Sequence, residues 1–177
     1  MKKMTLILAP SLLLVCGDAF SAPDGFSSVR CGADVPAALR GRSIPDGTTA
    51  KIENSHKDLG LKDLGADELD DGGSLISWRI CGEEYMLIVD KRSLVRDVLQ
   101  IPPHSKSAPE STGPCKMNGT DLSGVVVAIL DKKAGGTADL PATVAWKVDE
   151  KQAKFIPLPT AGLLCSRVGI ATVDGGN

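Results

Sequence analysis

Four cysteines, Cys31, Cys81, Cys115 and Cys165, constrain this chain more than any other feature. They form an even set with no Cys-x-x-Cys spacing and no histidine beside them, which reads as two disulfides rather than a metal site. Three pairings are open. Joining Cys31 to Cys81 and Cys115 to Cys165 closes two successive loops of equal span, 50 residues each, and is the favoured pairing. On the chain-entropy model each such loop contributes about 4 kcal/mol, less any strain. A chain stapled in this way belongs in an oxidising compartment.

The first residues agree with that compartment. Lys2 and Lys3 form a basic start, residues 4–16 are mostly apolar, and Gly-Asp-Ala-Phe-Ser-Ala follows as a small-residue segment. This is the pattern of a secretory signal peptide. Cleavage after Ser21 is expected, leaving 22–177 as one exported globular domain. The apolar stretch falls short of the roughly 20 residues that span a bilayer, and no other stretch comes closer. Cys16 lies at its end, where the bulky Val15 argues against a lipid anchor. The Met-Lys-Lys opening suits a bacterial periplasmic or secreted protein. Formal net charge is −2 with the basic residues scattered, so the chain lacks the concentrated basic face that nucleic acid needs.

The strand signals centre on residues 77–105. Residues 75–81 alternate, with Ile76, Trp78 and Ile80 on one face and Ser77, Arg79 and Cys81 on the other. After a Gly82-Glu83 turn, residues 85–90 run almost wholly apolar, the mark of a strand buried on both sides. A polar turn at Lys91-Arg92 leads to a strand over 93–101 with Val95, Leu99 and Ile101 on one face. These pieces make a three-stranded antiparallel meander. Further on, 124–130 is β-branched and apolar. Residues 143–148 and 155–158 flank a hairpin turn, with Pro157 and Pro159 holding the second strand to an edge. Last come short strands over 163–165 and 168–173.

Before the meander the chain is helical. Asp34 is a candidate cap, with Pro36 early in the helix and Gly41 to stop it. Residues 48–59 form a second helix closed by Gly60, with Ile52, His56 and Leu59 on one face. Residues 61–73, with acidic Asp67, Glu68, Asp70 and Asp71, read as a connector. The Pro/Ser-rich loop 102–114 marks a boundary between subdomains. The expected fold is α+β: short N-terminal helices on a mostly antiparallel sheet, with two disulfides.

Functional motifs are sparse. His104, in Pro-Pro-His-Ser, is the candidate catalytic residue, because proline-held loops present side chains rigidly and His titrates near neutral pH. Next to it Ser105 would be the nucleophile and Asp97 or Glu110 the orienting carboxylate, but there is no Gly-x-Ser-x-Gly elbow. The plain reading is a solvated turn. His56 follows Glu53 at helical spacing without a His-Glu-x-x-His motif, so no metal ligands are assigned. The acidic run 67–71 lacks the alternation of a calcium loop. Gly135-Gly136 lacks the residues of a phosphate cradle. Trp78, Arg79 and Tyr85 are the candidate binding residues, of types that anchor interfaces, although tryptophans in an aromatic-poor chain also fill cores. No cofactor fingerprint is present. The expectation is a non-enzymatic binding or inhibitor-like module of the envelope or extracellular space, with an envelope or extracellular protein as its partner. The alternatives are an exported hydrolase using His104 or a passive structural protein of the envelope.

Overall fold

The computed structural model describes residues 24–105, 108–134 and 139–166. The expected signal peptide, Cys16, Gly135-Gly136 and the strand expected over 168–173 lie outside the described residues.

Two antiparallel sheets carry the fold, and with two short helices and two disulfides they make the α+β class expected. The helices come first: α1 (Val35–Leu39) and α2 (Thr49–Ser55). The first sheet is a meander in chain order, β1 (Lys62–Glu68), β2 (Ser74–Ile80), β3 (Glu83–Val89) and β4 (Val95–Gln100). The second sheet contains β5 (Glu110–Ser111), β6 (Cys115–Met117), β7 (Thr120–Asp121), β8 (Val126–Leu130), β9 (Asp139–Asp149), β10 (Lys154–Pro157) and β11 (Leu163–Ser166). Its order is β5-β8-β9-β11-β6-β7, with β10 added on β9.

Both helices begin where their caps dictate. The Asp34 carboxylate accepts from the Ala37 N–H at 2.9 Å, and the Thr48 hydroxyl accepts from the Lys51 N–H at 3.3 Å. After α2 the chain tightens into a 3-10 turn, Lys57–Leu59, and Gly60 stops it at φ 56°. Val35, Leu39, Ile52 and Leu59 join Phe26, Trp78, Ile80, Tyr85, Leu87, Val95 and Val98 in one apolar cluster on one side of the first sheet. The Phe26 ring meets the Trp78 ring edge-on at 5.4 Å.

The apolar runs of β3 and β8 explain the layering. In β3, Tyr85, Leu87 and Val89 face the helical cluster, while Met86 and Ile88 face the other way. In β8, Val127 and Ile129 meet Met86 and Ile88 in a second cluster, and Val126, Ala128 and Leu130 face a third with Leu140, Leu163 and the Cys115–Cys165 bridge. Each strand is thus apolar on two faces because each separates two cores. The sheets pack face to face through Leu75, Met86, Ile88, Val127, Ile129 and Val148.

Three local expectations change, and one hairpin is added. Residues 61–69 are not a connector, because β1 pairs along β2 from Lys62↔Arg79 to Glu68↔Ser74. As an edge strand it is largely exposed and needs no apolar alternation, and a bulge between Asp63 and Gly65 leaves Leu64 outside. In β4 the pairing jumps from Ile88↔Asp97 to Val89↔Val95. The extra residue, Arg96, breaks the two-residue period, so Val95 and Val98 share the helical face while Leu99 and Ile101 share the inter-sheet face. Asn118 (φ 51°) and Gly119 (φ 81°) make a two-residue hairpin turn between β6 and β7, which adds a short hairpin before β8. Finally, β9 begins at Asp139 rather than 143, and its two ends pair with different strands, β11 and β10.

Asp97 ties three elements together at the bulge. Its Oδ1 accepts from Arg40 Nε, just past α1, and from the Val98 N–H, both at 2.9 Å. Its Oδ2 accepts from the Phe155 N–H of β10 at 3.0 Å, across the gap between sheets. Asp97→Asn keeps the shape but replaces one acceptor oxygen with a donor. It should cost about 1.5–3 kcal/mol, the range for hydrogen bonds to a charged group, measured as a lowered urea midpoint.

The disulfides join Cys31 to Cys81 and Cys115 to Cys165, the pairing of equal spans. Cys81 sits in the β2–β3 turn at φ 55°, followed by Gly82 at φ 87°. Cys115 and Cys165 stand opposite one another on β6 and β11. Because the closed loops have equal length, paired Cys→Ser replacement at either bridge should cost a similar amount, about 4 kcal/mol by the loop-entropy relation. Denaturant unfolding of the two double variants checks this, and a large inequality would show that loop span does not set the cost.

Candidate functional site

The seam between the sheets is apolar along its middle and polar at one end. Alternation along β3 puts Glu84 on the same face as Met86 and Ile88, toward the second sheet. Arg79 lies directly across from Glu84 in the β2–β3 hairpin, and its Nη2 binds Glu84 Oε1. On β5, Glu110 lies opposite Ile129, another seam residue. Between them comes the chain leaving β4. Ile101 is fastened by its N–H to the Glu84 carbonyl at 2.8 Å, and the Pro102-Pro103 pair stiffens the next step. That step delivers His104 into the space between the two glutamates.

His104 is therefore not a solvated turn residue. Its side chain is 7 % exposed, with Glu84 at 18 % and Glu110 at 9 %. His104 Nε2 lies 3.4 Å from Glu84 Oε2 and 4.0 Å from Glu110 Oε2. Its Nδ1 lies 3.4 Å from the Pro102 carbonyl oxygen. One ligand-type atom from each of Glu84, His104 and Glu110 falls within 4.8 Å of the others.

Glu110 is the unusual member. Its Oε1 is buried and, among the described residues, accepts no hydrogen bond. Burial pushes its carboxyl above the usual range; the His104 charge opposes that rise and the Glu84 charge adds to it.

The other candidates fall elsewhere. Trp78 and Tyr85 are 2 % and 5 % exposed, and both belong to the helical-side core. Burial is also the largest cause raising the Tyr85 phenol. Arg79 remains partly open to solvent and holds Glu84. His56 is a separate site, its Nε2 2.7 Å from Asp24 Oδ2 and its ring 5.7 Å from that of Phe26. The two histidines do not converge. Asp97, one of the two carboxylates weighed beside His104, belongs to the structural tie described above, whereas Glu110 does meet His104. Glu84 was missed, although a two-residue Cys81-Gly82 turn would have placed it opposite Arg79. Asp70 and Asp71 line a surface groove of about 840 Å³ with Lys147, Ile156 and Leu158, away from the cluster.

No protein-family model matches the chain, and comparison with curated proteins and with solved structures finds no significant match. Function must therefore be argued from the chemistry of the cluster.

The raised carboxyl of Glu110 has a signed consequence. In the unfolded chain it ionises in the ordinary carboxylate range, about pH 4.3. In the fold it keeps its proton to higher pH, so across that window the native state binds more protons than the unfolded state. Stability from this group is full below the ordinary range and falls as pH rises through the folded value. Glu110→Gln should remove that fall, flattening the pH dependence of the urea midpoint above about pH 4.3 in chelator-treated buffer. An unchanged slope would mean that Glu110 ionises normally in the fold.

Proposed function

We propose that this protein is an exported, disulfide-stapled binding module of the bacterial envelope or extracellular space that turns over no substrate. The single observation behind this reading is the setting of His104. Both ring nitrogens face acceptors, Nε2 toward two carboxylates and Nδ1 toward the Pro102 carbonyl. A base that activates a hydroxyl needs one of those nitrogens on the hydroxyl. A histidine fixed among acceptors instead belongs to a set of donor atoms built to hold something. Two disulfides support export, since they persist in oxidising compartments. Among the described residues no helix is long and apolar enough to cross a membrane. The residues that open the chain fit a signal peptide.

A hydrolytic reading has one observation in its favour. Glu110 is a buried carboxyl raised above its usual range and set beside a second carboxylate, which is how acid and base roles are divided in some hydrolases.

Screening the purified chain against hydrolase substrates and ligands decides between the two. The binding reading expects saturable, concentration-dependent stabilisation by at least one ligand class, without turnover. Hydrolysis that disappears in His104→Ala while thermal stability is kept would overturn it in favour of the enzyme.

A further inference from the structure

We propose that Glu84, His104 and Glu110 form a binding site for a divalent transition metal of the zinc class, seated at the polar end of the seam between the two sheets. The site goes beyond the general binding role proposed above, and it stands on geometry.

The spacing of the three groups is the first argument. Nε2 of His104 lies 3.4 Å from Glu84 Oε2 and 4.0 Å from Glu110 Oε2. Both gaps exceed the usual N–H···O range of about 2.7–3.2 Å, so neither is a hydrogen bond of ordinary length, and both are contacts of the ion-pair kind. Metal–ligand bonds of about 2.0–2.2 Å in a tetrahedron place neighbouring ligand atoms about 3.3–3.5 Å apart. The Glu84–His104 edge already has that length, the His104–Glu110 edge needs to shorten by about half an ångström to reach it, and the Glu84–Glu110 edge lies within 4.8 Å.

The second argument is the burial of Glu110. This side chain is nine-tenths buried, its Oε2 faces His104 Nε2, and among the described residues its Oε1 has no hydrogen-bond partner. A buried carboxylate left in that state is costly, and a cation offsets the cost directly.

The third is the orientation of each ligand by a neighbour. Arg79 takes Glu84 Oε1 from across the hairpin, leaving Oε2 turned to the site. With a metal on Nε2 the ring proton sits on Nδ1, and the Pro102 carbonyl oxygen 3.4 Å away is the acceptor that faces it. One imidazole with two carboxylates suits zinc and its first-row neighbours better than calcium, which prefers six to eight oxygens. Three protein ligands leave a fourth position for water or for a group on a bound partner. The ligands come from the first sheet, the connecting loop and the second sheet, so the metal also fastens the seam.

The test is isothermal titration of the chelator-treated, oxidised protein with Zn2+, with Co2+ and Ca2+ as separate arms, alongside thermal unfolding. The expected result is one equivalent of Zn2+ bound, a Tm that rises with Zn2+ concentration, and a visible absorption band typical of four-coordinate cobalt. Ca2+ should bind at least about a hundredfold more weakly. Glu110→Gln and Glu84→Gln, which keep side-chain shape, and His104→Ala should each abolish stoichiometric uptake. His56→Gln should leave uptake unchanged. Circular dichroism of the metal-free variants separates lost binding from lost folding. No stoichiometric uptake, equal uptake by folded Glu110→Gln, or Ca2+ binding as tight as Zn2+ would each overturn the site. None of these results bears on whether an organic ligand or protein binds elsewhere on the module.

Discussion

The whole structure depends on burying two strands from both sides. β3 and β8 each carry an apolar run with no polar face, and neither can end a layer. Placing them in facing sheets solves this. Met86 and Ile88 meet Val127 and Ile129 in the seam, the α1 and α2 side chains join the cluster on the outer face of β3, and the Cys115–Cys165 bridge joins that on the outer face of β8. This yields three small cores in series. The chain has only six aromatic residues; Phe26, Trp78 and Tyr85 lie in the helical-side core, the core on the outer face of β8 is built from aliphatic side chains, and one disulfide joins each outer core. Asp97 works at the same scale, binding a residue past α1, the β4 bulge and β10 through one carboxylate.

How much of this was legible in the sequence depended on whether the signal was local. Caps, the turn at Lys91-Arg92 and the two-sided burial of β3 are written in adjacent residues, and they appear as expected. The equal spans of the two disulfides are also visible in the cysteine spacing. The edge strand β1 was not legible, because an exposed strand paired on one side has no reason to alternate. The faces of β4 were misassigned because one bulged residue, Arg96, reverses the period beyond it. The Asn118-Gly119 turn was legible in principle, since that dipeptide suits the positive φ of both turn positions, but its flanking strands are too short to show a pattern.

The candidate site was half legible for the same reason. His104 stood out by residue type and by its prolines, and Glu110 was named beside it. Glu84 was hidden in a Glu-Glu pair at the start of a strand. Only the register of the hairpin shows that Glu84, rather than Glu83, faces the seam opposite Arg79. The meeting of His104 with both glutamates depends on how the two sheets face each other, which no single segment encodes. Trp78 and Tyr85 drew attention for the opposite reason: they are conspicuous by type, yet alternation turns both toward the helices and into the core.

The central claim is that the polar end of the seam is a built metal site rather than an incidental cluster of charge. X-ray absorption at the zinc edge, on protein loaded with one equivalent, tests this most directly, because it reads the ligand atoms themselves. The account predicts a first shell of nitrogen and oxygen only, at about 2.0–2.2 Å, with outer scattering from a single imidazole that vanishes in His104→Ala. A shell containing sulfur, or outer scattering from two imidazoles, would place the metal elsewhere and contradict it.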